Sequence, residues 1–297
     1  MEQKESLKGW LYLLPSMLFL IAFMLYPLFD VFIYSFEENF NSVEKIYTGV
    51  GVANFRYIFN DYHFTDAIKN TMLIVIITVP LSTIISLLIA VGLNAIKPFK
   101  KIFQTIFFLP YVTNALAVGM VFMIIFKDTT NSYSIMNTIL MHLGINPVDW
   151  LNGSYAAKMF VMCFYTIWNV MPFKILVLVG TLQSVNKTMY DAAKIDGTSK
   201  IRTFFKITVP MISPMLSYLV ITGFIGAFKE YNNAIGLFGT KLNDVGMNTI
   251  VGCIYDYLYS EAGGFPGYAA AAAIVLFFII LTITAINLLI SKKKVYY

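Results

Sequence analysis

Tyr190-Asp191-Ala192-Ala193-Lys194-Ile195-Asp196-Gly197 forms a polar island between two long apolar runs, and Ile207-Thr208-Val209-Pro210 follows it along the chain. The island carries small residues and a helix-ending Asp-Gly pair at fixed spacing. A loop that only joined two membrane helices would not need these features. We therefore expect a short amphipathic helix on the inner face of a membrane. Two interpretations of that helix stay open: it rests on lipid headgroups, or a cytosolic partner grips it.

The island is predicted to fold as two short helices. Asn186 is a suitable N-cap for the first, Lys187 to Ile195, and Gly197 suits the C′ position, where φ is often positive. A hydroxyl residue, at 198 or 199, caps the second helix, which is predicted to end before Pro210. The 3.6-residue period brings four side chains near one face of the first helix, where small alanines allow close approach: Met189, Ala192, Ala193 and Asp196.

The composition indicates an integral membrane protein. The chain is 58% hydrophobic and 12% charged, against about 45–50% and about 25% in soluble domains. It has no soluble stretch long enough to hold a core of its own. Cys163 and Cys253 lie far apart, and with His63 and His142 they give neither a disulfide framework nor a metal-site spacing. The positions of the charges matter more here than the net charge of +5, and we expect no nucleic-acid partner.

Six apolar runs are long enough to cross a bilayer, which takes roughly 20 residues. Backbone groups in lipid must pair within their own segment, so all six are predicted to be helices. The fifth run is interrupted late by Lys229 and Glu230. We expect the first run to be a retained helix rather than a signal peptide, because it is too long and no small-residue cleavage site ends it. The runs lie near 10–34, 69–95, 102–126, 156–181, 214–238 and 267–290.

Lysine and arginine set the orientation. With six spans both termini fall on one side, and that side carries most of the basic residues, whereas acidic residues dilute those opposite. We therefore expect both termini and the island to be cytoplasmic. The basic residues of that side are Lys4, Lys8, Lys97, Lys100, Lys101, Lys187, Lys194, Lys200, Arg202, Lys206, Lys292, Lys293 and Lys294.

The island resembles the EAA motif of ABC-importer permeases, written E-A-A-x3-G-x9-I-x-L-P. Asp191 stands where Glu is usual and Val209 where Leu is usual, but the spacing is intact. Further matches run along nearly the whole chain and are similar to the sugar-permease branch, which includes the larger maltose-importer permease and the glycerol-phosphate and multiple-sugar permeases. They are Tyr26-Pro27, Ser35-Phe36, Gly51 to Tyr57, Leu109-Pro110-Tyr111, Asn137, Leu143-Gly144, Trp150-Leu151 and Leu182-Gln183-Ser184.

The resemblance implies an all-α membrane protein with the type I importer permease fold, one transmembrane domain over 1–297, and a coupling loop at 182–213. The loop helix would seat in a groove on a cytosolic ATPase, and closure of two ATPases would rock the membrane halves. The implied partners are a second related permease, two ATPase subunits and an extracellular or periplasmic solute-binding protein, at a bacterial inner membrane. The implied coupling residues are Tyr190, Asp191, Ala192, Ala193, Asp196, Gly197, Ile207 and Pro210.

The chain has no residues for catalysis of its own. It lacks the G-x-x-x-x-G-K-[S/T] loop that binds nucleotide phosphates. Its sequence also shows no combination of a nucleophile and a base that is typical of a catalytic site. We therefore expect a transport subunit without a bound cofactor, with ATP and Mg on the partner ATPase.

Polar residues within the spans are candidates for a solute path. A charged group near the bilayer centre costs about 2.5–3.5 kcal/mol on insertion scales, so one kept there usually faces protein or water. Lys174 snorkels, pairs with a neighbouring subunit or faces the path, while Asn169 contacts solute or simply packs helices. The resemblance places substrate contacts on the fourth and fifth spans, where the candidates are Thr166, Asn169, Phe173, Gly226, Glu230 and Tyr231.

The external segments 36–68, 127–155 and 239–266 are too short for domains but long enough to contact a binding protein. Within them, Asn137 to Gly144 is predicted to be an amphipathic helix with Ile139, Leu140 and Leu143 facing inward. In the sixth span, the run Ala269 to Ala273 is expected to pack closely against another helix.

Other functions stay open beside sugar import. The same architecture serves other solutes, such as glycerol-3-phosphate or an amino acid. An ion-coupled secondary transporter would need intramembrane carboxylates, and Asp30 and Glu230, both near span ends, are the ones available. A membrane-embedded enzyme would need a His, Cys or carboxylate cluster that the sequence lacks.

Overall fold

A computed structural model describes residues 2–41, 44–96, 100–129, 132–260 and 264–294, and most of them are helical. Lys97, which contributes to the charge bias, lies outside these residues. The first long helix runs through α1 (Glu2–Leu20), a π-helical turn (Ile21–Leu25) and α2 (Tyr26–Phe36). A two-stranded antiparallel hairpin, β1 (Glu37–Glu38) with β2 (Gly49–Val50), follows it.

The remaining described elements are helices and one π-helical turn. The elements are α3 (Ala53–Asn60), α4 (Tyr62–Ala95), α5 (Lys100–Val112), α6 (Ala115–Phe126), α7 (Ile135–His142), α8 (Tyr155–Ser184), α9 (Lys187–Ile195), α10 (Lys200–Thr203), a π-helical turn (Phe204–Thr208), α11 (Val209–Phe228), α12 (Asn232–Phe238), α13 (Leu242–Val245), α14 (Ile250–Leu258) and α15 (Pro266–Lys294).

Five described stretches are long and apolar enough to span a membrane, and a bent helix pair makes a sixth when it is counted as one span. This agrees with the six-helix prediction, and the differences are local. The five are Trp10–Phe36, Tyr62–Ala95, Tyr155–Ser184, Lys200–Phe228 and Pro266–Ser291, and the bent pair is Thr105–Val112 with Ala115–Phe126.

The third span, predicted as one run at 102–126, is broken by a bend of 105°. The Thr113 hydroxyl donates to the Pro110 carbonyl at 2.7 Å, which closes the end of α5. Asn114 has an extended backbone, and its side-chain oxygen accepts from the backbone N–H groups of Leu116 and Ala117 at 2.9 and 3.3 Å. An N-cap of this kind starts a new helix whatever the surrounding hydropathy.

The fifth span differs from its prediction at both ends. The helix ends at Phe228, and α12 is a separate element. At its start, α10, the π-helical turn and α11 follow one another without a gap, so the expected helix end before Pro210 was wrong. Pro210 lies in the first turn of α11, where a missing N–H breaks no intrahelical bond of a new helix, and the preceding π-helical turn accommodates the ring.

The chain divides into two compact units. One comprises Met1–Thr65 and Cys253–Phe278, and the other Asp66–Gly252 and Ile279–Tyr297. In the first unit, Asn54 is buried and its amide donates to the carbonyls of Ser35 and Glu37 at 3.1 and 2.9 Å. Carbonyls at a helix end have no partner within the helix, so Asn54 closes the end of α2.

In the second unit, the inward face expected for the external helix α7 was wrong for two of its three residues, and only Leu140 is half-buried. Ile139 is 51% exposed and Leu143 is 70% exposed. The buried residue is Asn137, whose amide donates to Asp128 and to the Val148 carbonyl, both at 2.8 Å. An amide buried among several partners fixes this helix more strongly than the two aliphatic side chains do. In the first unit, the alanines 269–272 of α15 are buried and Ala273 is half-buried, which agrees with the prediction that this run packs closely.

Candidate functional site

A cavity of roughly 400 Å³ lies in the second unit, within the size range of small-molecule sites. Its walls come from α4, the α5–α6 break, α8 and α11. Of the predicted substrate residues, Tyr231 lies elsewhere and packs against a hydrophobic core cluster. The other five line the cavity together: Thr166, Asn169, Phe173, Gly226 and Glu230.

The α8 wall follows from helical spacing. Thr166, Asn169 and Phe173 are three and seven residues apart, which places them along one face of a helix. The ring of Phe173 stacks on Tyr111, with centroids 5.4 Å apart and planes 23° from parallel. The face therefore offers a hydroxyl, an amide and an aromatic pair to whatever occupies the cavity.

Asn233, which sequence reasoning did not select, links three of the predicted residues. Its side-chain oxygen accepts from the Asn169 amide at 3.0 Å. Its own amide donates to Glu230 at 2.9 Å and to the Thr166 hydroxyl at 3.4 Å. The signal in the sequence was an Asn pair two and three residues after the Glu230 carboxylate, at the place where the fifth apolar run stops.

Glu230 also stabilises the start of α12, apart from any contact with solute. One carboxylate oxygen accepts from the backbone N–H groups of Tyr231 and Asn233 at 3.1 and 3.0 Å. Those groups begin α12, whose first N–H groups have no carbonyl partners within the helix. The carboxylate thus closes the break between α11 and α12 at the edge of the cavity.

Lys174 does not snorkel. Its side chain is 4% exposed, and its ammonium group donates to the hydroxyls of Ser82 and Thr83 at 2.7 and 2.9 Å. These bonds tie α8 to α4. Lys174 also lines the cavity, so the cavity holds both a basic and an acidic side chain.

The contribution of α4 was missed because hydroxyls are common in packed membrane helices. The signal was periodic: Thr71, Thr78, Ser82, Thr83 and Ser86 are buried. Four aliphatic residues of the same helix are exposed, and they are Ile76, Leu81, Ile84 and Leu88. A span with hydroxyls on one face and aliphatic residues on the other turns the hydroxyls towards protein.

The α5–α6 break also supplies lining residues that were not predicted. Tyr111, Thr113 and Ala115 lie on either side of the bend and reach the cavity. Behind them α6 and α12 touch backbone to backbone, since a Cβ on Gly119 would lie 2.8 Å from the Gly236 Cα. Only glycine permits that approach, which holds the broken span in place.

The polar island folds as its cap residues predicted. The first helix is Lys187–Ile195, and the Asn186 side chain accepts from the Thr188 N–H at 3.0 Å. Gly197 has φ +66°, and the Ser199 hydroxyl accepts from the Arg202 N–H at 3.4 Å to begin α10. The two caps fix the turn between the helices.

The predicted face of α9 is divided. Ala193 is buried, whereas Met189, Ala192 and Asp196 are exposed. Successive residues lie about 100° apart on a helix, so Ala192 and Ala193 point in different directions. The outer face of α9 is instead formed by Met189, Ala192 and Ile195, the last of them 88% exposed.

The other predicted coupling residues are spread over both sides of the loop. Asp191 is exposed and pairs with Lys194 at 3.1 Å, while Ile207 and Pro210 are half-buried. Tyr190 is half-buried, and its hydroxyl lies 3.1 Å from the Thr208 hydroxyl. Among the residues that the structure describes, no group of three His, Cys, Asp or Glu side chains is placed to hold a metal ion.

Comparisons with known proteins agree on one family. The family model described as "Binding-protein-dependent transport system inner membrane component" matches residues 82–295. The chain is 33% identical to the arabinooligosaccharides transport system permease protein AraP of Bacillus subtilis, over 95% of this chain and 88% of that one. It is 29% identical to the lactose transport system permease protein LacF of Rhizobium radiobacter, over 76% and 74% of the two chains.

A solved structure shows the same fold. It is a bacterial ABC transporter involved in the import of the acidic polysaccharide alginate, and it matches with a TM-score of 0.82. The match covers 98% of this chain and 97% of the other at 21% identity, a level at which the likeness concerns the fold alone.

Proposed function

This chain belongs to the family of binding-protein-dependent transport system inner membrane components, and from that premise we propose that it carries a sugar or an oligosaccharide. It is the permease of an ABC importer. The names of its relatives, which mention arabinooligosaccharides and lactose, support a carbohydrate solute. The cavity gives an independent reason.

The observation that carries the proposal is the chemistry of the cavity wall. Hydroxyls from α4, α8 and α11 stand beside the amide of Asn169 and the stacked rings of Tyr111 and Phe173. Sugars present hydroxyls that such groups bind and C–H faces that stack on rings. An aliphatic wall would suffice if these faces only packed against lipid, so the polar lining supports a path for a polar solute.

One observation favours a second candidate, an anionic solute. Lys174 lines the cavity, and the residues described include no carboxylate paired with it. A carboxylate or phosphate on the solute would balance its charge. Glu230 lines the same cavity with the opposite charge, so we place the neutral sugar first.

The partners follow from the surfaces that this chain leaves open. No residue in the most apolar 18-residue stretch of Trp10–Phe36 is buried, and an apolar surface of that size takes lipid or protein cover. We place a second, related permease there together with lipid. A solute-binding protein docks on the external segments, at a bacterial inner membrane with both termini cytoplasmic.

The coupling site is the outer face of α9, formed by Met189, Ala192 and Ile195. Apolar side chains that form one contiguous exposed patch on a cytoplasmic loop mark a surface that a partner covers. We place a groove of a cytosolic ATPase on this face, so that ATP and Mg lie on two ATPase subunits and this chain transports without hydrolysing ATP. Headgroup contact is the competing interpretation, and it predicts that α9 tolerates bulk.

The experiment measures solute uptake by the complete complex in proteoliposomes. The binding protein is supplied on the side of the membrane that the external segments face. Neutral arabino-oligosaccharides, uronic-acid oligosaccharides and glycerol-3-phosphate are compared as labelled solutes. We expect ATP-dependent uptake of the neutral sugar. Uptake restricted to the anionic solutes would replace the first candidate by the second, and uptake driven by an ion gradient without ATP would contradict the proposal.

A further inference from the structure

Helix α9 is held to the protein by one side of its surface. Of its nine residues, Ala193 is buried, Tyr190 is half-buried and the others are exposed. The ring of Tyr190 packs against a core cluster that contains Leu178 and Leu182 of α8 and Ile212 of α11. Apart from the chain connections at its two ends, α9 therefore contacts the rest of the protein chiefly through Tyr190 and Ala193.

The Tyr190 hydroxyl makes a specific contact within this packing. It lies 3.1 Å from the hydroxyl of Thr208, which is 6% exposed. Thr208 is the last residue of the π-helical turn Phe204–Thr208. The bond joins the polar island to the base of α11 across eighteen positions of the sequence.

The bond attaches where the helical hydrogen-bond pattern is irregular. A π-helical turn replaces the regular i→i+4 hydrogen bonds, and such turns are frequent at functional sites. Pro210, two residues further on, contributes no N–H. A rotation about this point costs fewer regular bonds than one in the middle of α11.

The upper part of α11 forms a wall of the cavity. Its lining residues are Leu219, Thr222, Gly223, Gly226 and Ala227. Gly223 lies roughly 22 Å along the helix from Thr208, at 1.5 Å per residue. If the helix bends by a small angle at the π-helical turn, the residues at the cavity are therefore displaced further than those beside the turn.

We propose that the hydrogen bond between Tyr190 and Thr208 carries displacement of α9 to α11 and so to the cavity wall. The inference rests on the proposed docking of α9 on an ATPase. It makes Tyr190 a positioning residue inside the permease, while Met189, Ala192 and Ile195 face the partner.

The test uses Tyr190→Phe, Thr208→Val and the double variant in the complete reconstituted complex. Each single change removes one hydroxyl and keeps the packing volume, so assembly with the ATPases is expected to persist. The measured quantity is the number of ATP molecules hydrolysed per solute imported in the presence of binding protein. We expect it to rise about threefold or more, the range set by one hydrogen bond that differs between two states, and to rise no further in the double variant.

Two matched controls remove hydroxyls that take no part in this contact. Thr181→Val removes a hydroxyl that bonds the Val177 carbonyl of its own helix. Tyr218→Phe alters an exposed tyrosine of α11. Both controls are expected to keep the ratio of the unaltered complex.

Three results would overturn the inference. The first is an unchanged ratio in Tyr190→Phe, and the second is a double variant in which the two single effects add. The third is loss of the ATPases from Tyr190→Phe, which would make Tyr190 a docking residue. Failure of the proposed docking has a different signature, since Ala192→Arg would then keep both its ATPases and its transport.

Discussion

Polar side chains at the cavity form hydrogen bonds with one another. Asn169 donates to Asn233, and Asn233 donates to Glu230. A polar group buried without a partner costs more free energy than a made bond contributes. If these groups contact the solute, as we propose, some of these bonds would be exchanged for bonds to its hydroxyls, and we expect this exchange to keep binding weak enough for release.

The first prediction concerns Asn169, Glu230 and Phe173. Loss of one hydrogen bond to a sugar costs roughly 0.5–1.5 kcal/mol, or up to about 3 kcal/mol where a charge takes part. Asn169→Ala and Glu230→Ala are expected to slow ATP-dependent uptake several-fold while the complex still assembles, and Phe173→Ala should do likewise by removing the ring that stacks on Tyr111.

Glu230 needs a control because it also begins α12. Glu230→Gln keeps an oxygen that accepts from the Tyr231 and Asn233 N–H groups, so it separates helix capping from the charge. Wild-type uptake in all of these variants, at matched amounts of assembled complex, would remove the cavity from the solute path.

The second prediction concerns Lys174. Methionine of similar length in its place removes the bonds to Ser82 and Thr83, but it also removes the cost of burying a charge, so folding should survive. We expect Lys174→Met to assemble and to lose uptake several-fold, whereas a snorkelling lysine would have tolerated the change. Normal uptake would limit Lys174 to joining α8 with α4.

At the scale of elements, hydropathy predicted where helices lie but not where they break. The runs near 69–95, 156–181 and 267–290 correspond to α4, α8 and α15. The breaks at Thr113–Asn114 and at Glu230 follow from side-chain caps, which act on two or three N–H groups and leave mean hydropathy unchanged.

The third prediction concerns the turn after α9. Gly197 has φ +66°, and a Cβ there would meet nothing within 4 Å, so the cost of Gly197→Val lies in the backbone. Gly180 also has open space around it but lies within the right-handed helix α8. We expect Gly197→Val and Ala192→Arg to abolish transport although the protein still inserts, and Gly180→Val to transport.

The readout for the island is the response of ATP hydrolysis to solute-loaded binding protein. Loss of that response in Gly197→Val and Ala192→Arg is the expected result. If both variants import at the normal rate, the island is a connector that lies on the headgroups.

The fourth prediction concerns the external segment around α7. Burial alone would raise the pKa of Asp128, but hydrogen bonds from Ser134 and Asn137 outweigh it and lower that pKa below its ordinary value of 3.8. Stabilisation by a carboxylate with a lowered pKa is complete above the ordinary value and is lost as the pH falls through the folded-state value. We therefore expect this segment to loosen below about pH 4.

Trp150 reports on that segment because its indole N–H donates to Asn137 at 2.9 Å. Its emission, taken as the difference between the unaltered protein and Trp150→Phe, should shift in acid. Asp128→Asn should show the shifted emission already at neutral pH. An acid transition of the same size in Asp128→Asn would assign it to another group.

For the whole molecule, the sequence predicted the family and the helix count but only part of the site. Five predicted residues share the cavity. Thr166, Asn169 and Glu230 stand out as polar side chains in apolar runs, whereas Phe173 and Gly226 were predicted from the family resemblance. Thr78 and Ser82 were not predicted, because a hydroxyl can bond its own helix backbone. Asn233 was not predicted, because it lies beyond the end of the span. Which hydroxyl faces a cavity depends on the neighbouring helix, and no single span encodes that.

The fifth prediction concerns assembly. No residue is buried in the most apolar 18-residue stretch of Trp10–Phe36, and we propose that this chain supplies one set of walls to a solute path, so it is expected to be inactive alone. Purified from its native membrane, it should bring down a second permease and two ATPase subunits. Vesicles that hold only this chain should show no uphill uptake of sugar, whereas vesicles with the complete complex, ATP and binding protein should. Concentrative uptake by the single chain would mean that the path is complete without a partner, and the uncovered helix would then face lipid alone.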